Sequence, residues 1–271
     1  MMSDRNASGG REERDEQRLR SLLEAGTDIA GGTAGALIGL GLGGPIGVVA
    51  EGAGGPALAR TALYLASEIK RRMLSKREEQ RIGAAIIFAG EKIRENRESG
   101  QQVRQDDFFR EQPDDRAAAE EIFESVLLAA QREPQEKKLR YYGTLVANIA
   151  FHPEISREQA NLLTKLAENL SYQQLCLLAV FANNDRWGQS LRQDSYNDGG
   201  LSSDDEIAAV QEAYELYSQS LVNCGGDALI GLTHVIPSQM QTQGFGSTLY
   251  ALMELWEINS YDLDRVIQLL Q

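Results

Sequence analysis

A ladder of glycines is the feature that most limits what this chain can fold into. Five glycines recur at every fourth position: Gly31, Gly35, Gly39, Gly43 and Gly47. They lie within residues 29–50, a stretch that has no charged side chain. Side chains four residues apart share one face of a helix, so the spacing predicts a smooth groove that another backbone can approach closely. Helices that associate inside membranes use this small-xxx-small spacing.

The glycine segment is marginal as a solitary membrane span. Twenty-two helical residues cover a bilayer core of about 30 Å, but the eight strongly apolar residues contribute only about 0.3–0.6 kcal/mol each to insertion. Pro45 and eight glycines weaken the helix. In water the glycines cost roughly 8 kcal/mol relative to alanine, which is comparable with the stability of a domain. We therefore expect this segment to be stable only against a close partner.

The segment has two other interpretations, of which the first remains open and the second is weak. A soluble helix or hairpin, sheltered by packing against the rest of the protein, would also offset the glycines. A phosphate-binding loop is disfavoured, although Gly39-x-Gly41-x-x-Gly44 formally fits GxGxxG. No hydrophobic strand precedes that pattern and no Gly-Lys-Ser/Thr follows it. Membrane association is the prediction that we carry forward.

The ladder resembles the glycine zippers of membrane channels and pore-forming toxins. The resemblance covers residues 31–47 and no other part of the chain. It implies close helix–helix packing in a homo-oligomer. A pore is not implied by the motif alone, because structural membrane anchors carry it too.

A basic flank follows the glycine segment. Residues 57–74 have helical character, with Leu58, Ala62, Leu65 and Ile69 on one stripe. One interpretation is an interfacial helix with its cations on anionic lipid; the other is a surface helix packed on the globular domain. The predicted membrane-surface cations are Lys70, Arg71, Arg72, Lys76 and Arg77.

The remaining sequence predicts an all-α protein, in which a glycine-rich membrane-type helix or hairpin precedes a compact multi-helix soluble domain. We place a charged, partly disordered segment at 1–24, the membrane and oligomerisation module at 25–76, and an acidic all-α domain at 77–271. Capping boxes at Ser156, Ser171 and Ser203 mark three helix starts. A short hairpin is expected within residues 225–246.

Charge and composition exclude several function classes. Residues 101–271 carry 12 Lys and Arg against 26 Asp and Glu, which argues against nucleic-acid binding and suits a basic protein partner. Cys176 and Cys224 lack CxxC spacing, and His152 and His234 belong to no catalytic or zinc motif. We name no catalytic, cofactor-binding or metal-binding residue and expect no enzyme.

These observations predict a membrane-associated effector of bacterial type. Its zipper helix would oligomerise and perturb or permeabilise the membrane under the control of a cytoplasmic α-helical domain, whose residues 101–271 would bind a regulatory protein. No signal peptide is visible, so we place the chain on the cytoplasmic face of the cell membrane, or in the cytoplasm at rest. The alternative is a non-enzymatic adaptor, soluble or anchored, whose acidic domain recruits a basic partner.

Overall fold

A computed structural model of the 271-residue chain describes residues 55–70, 72, 74–113, 115–197, 200–226 and 228–271. Contacts divide the described residues into two compact units, an N-terminal unit of residues 55–169 and a C-terminal unit of residues 170–271. The described chain is mostly helical, as predicted. The glycine-rich helix or hairpin lies outside the described residues. The domain boundaries placed at residues 24 and 76 stay predictions.

Five helices build the N-terminal unit: α1 (Gly55–Lys70), α2 (Lys76–Glu98), α3 (Ala118–Arg132), α4 (Lys138–Ile149) and α5 (Arg157–Asn169). A single 3-10 turn, Asp107–Phe109, lies between α2 and α3. Helix α2 begins with a capping box in which Ser75 accepts from the Glu78 N–H and Glu78 accepts from the Ser75 N–H. This box, which we did not predict, separates α2 from the preceding helix.

Helices α2 and α4 cross in close contact, and Gly143 makes this contact possible. A Cβ atom on Gly143 would lie 2.6 Å from the Ala85 carbonyl oxygen and 2.8 Å from the Ala89 nitrogen. Both of these atoms belong to the backbone of α2, so they cannot move aside as a flexible side chain would. Small residues therefore fix the distance between the two helices.

An ion pair is buried near the start of α4. Glu133 accepts from Lys138 Nζ and from the Tyr142 hydroxyl, both at 2.6 Å, and from the Gln135 N–H. Lys138 also donates to the Glu168 carbonyl. Burial lowers the pKa of Lys138 and raises that of Tyr142. Because the carboxylate has several donors, we regard this cluster as structural.

The C-terminal unit surrounds α6 (Tyr172–Ala182), whose residues Leu175 to Phe181 are all buried. Its other helices are α7 (Asn184–Trp187), α8 (Asp204–Ser218), α9 (Phe245–Leu252) and α10 (Ser260–Leu269). Strand β1 (Val222–Cys224) pairs antiparallel with β2 (Met240–Thr242), with Asn223 opposite Gln241. The hairpin expected within 225–246 thus has its first strand just before that stretch.

We expect Gly143→Ala to lower the free energy of unfolding by about 1–3 kcal/mol, because overpacking outweighs the helix propensity gained. Urea unfolding followed by circular dichroism measures the change. Gly231→Ala is the matched control, since its Cβ would find its nearest atom 3.9 Å away, on His234. An unchanged or increased stability of Gly143→Ala would show that the α2–α4 crossing has room to spare.

Candidate functional site: the docked helix α1

The sequence-predicted residues fall in two groups. The five glycines of the ladder, and Arg71, lie outside the described residues. Lys70 is the last residue of α1, Lys76 is the first residue of α2, and Arg72 and Arg77 lie close to this turn. The site that the structure describes is therefore α1, the helix that begins eight residues after Gly47, together with the surface on which it lies.

Helix α1 docks through one apolar stripe. Leu58, Ala62 and Leu65 are exposed by only 4%, 9% and 1%. Their spacing of four and three residues places them on the same helix face. This is the stripe that the sequence predicts for an interfacial helix. In the structure it lies on the N-terminal unit, as the alternative interpretation expects.

An apolar cavity of about 40 Å³ remains beneath the stripe. It is lined from α1 by Leu58, Ala62 and Leu65, from α2 by Ala85, Ile86, Ala89 and Ile93, from α3 by Phe123, Val126 and Leu127, and from α4 by Val146. A smaller space of about 10 Å³ lies towards the C-terminal end of α1, beside Leu65 and Glu68. The fit between α1 and its groove is thus incomplete.

The docking energy follows from these contacts. Burying the two leucines contributes roughly 3–6 kcal/mol in total, and a 40 Å³ cavity removes about 1 kcal/mol of it. A gain of a few kcal/mol is within the range over which segments of native proteins open locally. The apolar contacts of α1 therefore contribute a few kcal/mol to its docking.

Glu124 of α3 makes polar contacts beside the C-terminal half of α1. Its Oε1 accepts from Arg72 at 2.7 Å, and its Oε2 accepts from Arg116. Arg116 also donates to the Tyr64 hydroxyl of α1 at 3.3 Å. Through two arginines, one carboxylate thereby connects to α1 and to Arg72, two residues beyond its end.

A second polar contact lies further towards the N-terminus of α1. The Arg60 guanidinium donates to the Phe109 carbonyl in the 3-10 turn. Arg60 also acts electrostatically on Glu120, a buried residue in the first turn of α3. Burial and the nearby Glu111 carboxylate raise the pKa of Glu120, while Arg60 and Arg116 oppose this shift.

The basic run beyond α1, residues 70–81, also has carboxylate partners. Arg77 lies 2.6 Å from Glu136, and Arg81 Nε lies 3.7 Å from the same carboxylate oxygen. Sequence reasoning missed Glu124, Glu136 and Arg116 as parts of the site. No sequence pattern indicated them, because Glu124 lies 52 residues from Arg72 and the fold alone brings them together.

Comparison with protein-family models, curated proteins and solved structures gave no match for this chain. Within the described ranges, no helix has both the length and the apolar character needed to cross a membrane. The same part of the chain holds no group of three or more His, Cys, Asp or Glu side chains placed to bind a metal ion.

We expect Leu65→Ala to release α1. A buried Leu→Ala change costs about 2–5 kcal/mol, so the amides of α1 should exchange hydrogen about 30-fold faster or more. Hydrogen-exchange mass spectrometry of the full chain measures this. Leu162→Ala removes the same atoms from a leucine that is 41% exposed, and it should leave α1 unchanged. Equal exchange in both variants would contradict docking through the stripe.

Proposed function

We propose that this protein is a membrane-associated effector of bacterial type that works at the cytoplasmic face of the cell membrane. Its glycine segment, residues 31–47, packs against copies of itself and perturbs or permeabilises the membrane. The helical part of the chain controls this step. At rest, the helix adjoining the glycine segment is docked on that helical part.

The observation that carries the proposal is the position of α1. Its stripe of Leu58, Ala62 and Leu65 suits a groove and a membrane interface equally, since both bury apolar side chains. The stripe cannot occupy both at once. Docking of α1 therefore opposes membrane contact, and a trigger that releases α1 would favour it. The marginal insertion of the glycine segment adds to this conditional behaviour.

Assembly of the glycine-rich helices supplies the favourable free energy that insertion of a single helix lacks. A lone glycine-rich helix gains little in the bilayer, whereas two such helices gain close backbone contact along their small residues. The homo-oligomer is thus part of the proposed mechanism. A regulatory protein that binds the acidic part of the chain, residues 101–271, is the proposed source of the trigger.

Expression of the protein in bacterial cells tests this function through membrane potential, growth and crosslinking. We expect the wild type to depolarise the membrane and crosslink as an oligomer. Gly39→Leu should abolish both effects, because leucine blocks close packing although it favours insertion. Gly41→Leu is the matched control, since it makes the same change in the same segment but off the ladder. It should behave as the wild type does.

If Gly39→Leu retains both effects, or if both variants lose them equally, the zipper is not the assembly surface. A protein that stays monodisperse without detergent and never depolarises the membrane would instead favour the adaptor. One feature supports that second function. Trp256 is half exposed in the C-terminal unit, and residues 170–271 contain three Arg, no Lys and 13 Asp and Glu. Such a surface suits a basic partner.

A further inference from the structure

Three arginines of the basic run, Arg72, Arg77 and Arg81, lie beside carboxylates of the N-terminal unit. Arg72 pairs with Glu124, and Arg77 pairs with Glu136. Arg81 Nε lies 3.7 Å from Glu136, and Arg81 Nη1 donates to the Gln131 carbonyl at 3.4 Å. Its buried Nε has no hydrogen-bond partner. Two carboxylates thus lie beside these three arginines, and Glu124 also pairs with Arg116.

Exposure separates the two sides of these pairs. The side chains of Arg72 and Arg77 are exposed by 34% and 65%, whereas those of Glu124 and Glu136 are exposed by 16% and 21%. The carboxylates are therefore more buried than the guanidinium groups, which lie on the solvent side of each pair. An anion that approaches from solvent reaches the arginines first.

We propose that Glu124 and Glu136 are internal counterions of the basic run, and that an anionic lipid surface takes their place when the protein binds a membrane. This inference rests on the proposed function and identifies the lipid that the function requires. The lipid must carry net negative charge, because a neutral headgroup has no advantage over the carboxylates already present.

An arginine can exchange its protein carboxylate for a lipid phosphate without losing hydrogen bonds. Guanidinium groups form charge-assisted hydrogen bonds with phosphate as readily as with carboxylate. Ion pairs at a partly exposed rim are weak, so a dense array of lipid phosphates can displace them. Each cation near an anionic membrane strengthens binding about fivefold. Arg72 and Arg77, the more exposed arginines of these pairs, lie five residues apart in the chain, so they can act on one lipid surface.

The exchange also loosens α1. Glu124 holds Arg72 directly and reaches Tyr64 through Arg116. When Arg72 turns to lipid, α1 loses one of its polar ties, and its apolar stripe is brought next to the membrane. Lipid binding by the basic run and release of α1 are then coupled through a single carboxylate.

Binding of the purified full chain to vesicles tests the proposal. The vesicles consist of phosphatidylcholine, with or without phosphatidylserine. Removing a counterion frees an arginine, so we expect Glu136→Gln to tighten binding to phosphatidylserine vesicles about fivefold. Adding Glu124→Gln should tighten it further. Circular dichroism confirms folding; the single variant Glu136→Gln keeps the test valid if the double variant unfolds.

Glu168→Gln is the matched control. It makes the same change in net charge and frees Arg132, a residue outside the basic run, from a 2.7 Å pair in the same unit. Its affinity should stay near that of the wild type. Equal tightening by Glu168→Gln and Glu136→Gln would overturn the proposal, since net charge would then explain both. So would tightening on phosphatidylcholine alone, or no tightening at all.

Two further arms separate the possible causes. Inorganic phosphate at matched ionic strength should not displace the protein from vesicles; displacement would overturn the lipid surface in favour of a simple anion site. Depolarisation in cells is measured alongside. Unchanged vesicle binding by Glu136→Gln with normal depolarisation overturns this inference alone. Tightened binding without depolarisation by any variant overturns the proposed function and leaves this inference standing.

Discussion

The contact between the apolar stripe of α1 and the groove of the N-terminal unit is the interaction on which the rest of the account depends. Leu58, Ala62 and Leu65 are almost fully buried there, yet a cavity of about 40 Å³ remains under them. Complete packing would make α1 a permanent core helix, whereas absence of packing would leave it free to aggregate. An incomplete fit gives a docking energy of a few kcal/mol, which is the size that a binding event can overcome.

The groove that holds α1 has a close-packed floor. Helices α2 and α4 meet at Gly143 with backbone atoms in near contact, and a close-packed crossing has no easy way to deform. Release of α1 would therefore leave a formed apolar surface behind. Glu124 adds polar contacts to this packing. It accepts from Arg72 of the basic run and reaches Tyr64 of α1 through Arg116. Apolar packing and the contacts of Glu124 therefore both hold α1.

Local sequence patterns predicted much of the fold. The capping box at Ser171 marks the start of α6 correctly, and the apolar residues Leu139, Tyr142 and Leu145 are buried as their spacing indicates. The candidate site was harder to predict. The stripe of α1 is visible in sequence, but its two possible surfaces are equally apolar. Glu124 and Arg116 carry no pattern, because their roles arise from contacts made across some 50 residues of chain.

Thiol labelling of the groove tests the central claim most directly. Val126 lines the cavity under α1 and is buried, so Val126→Cys reports whether α1 covers it; the native cysteines are buried in the C-terminal unit. With the full chain bound to phosphatidylserine vesicles, we predict that a water-soluble maleimide labels this cysteine much faster than in the free protein. Leu145→Cys, at a fully buried residue that is not among those lining the cavity, should stay unreactive. A Val126→Cys thiol that remains shielded on the vesicles would contradict the account.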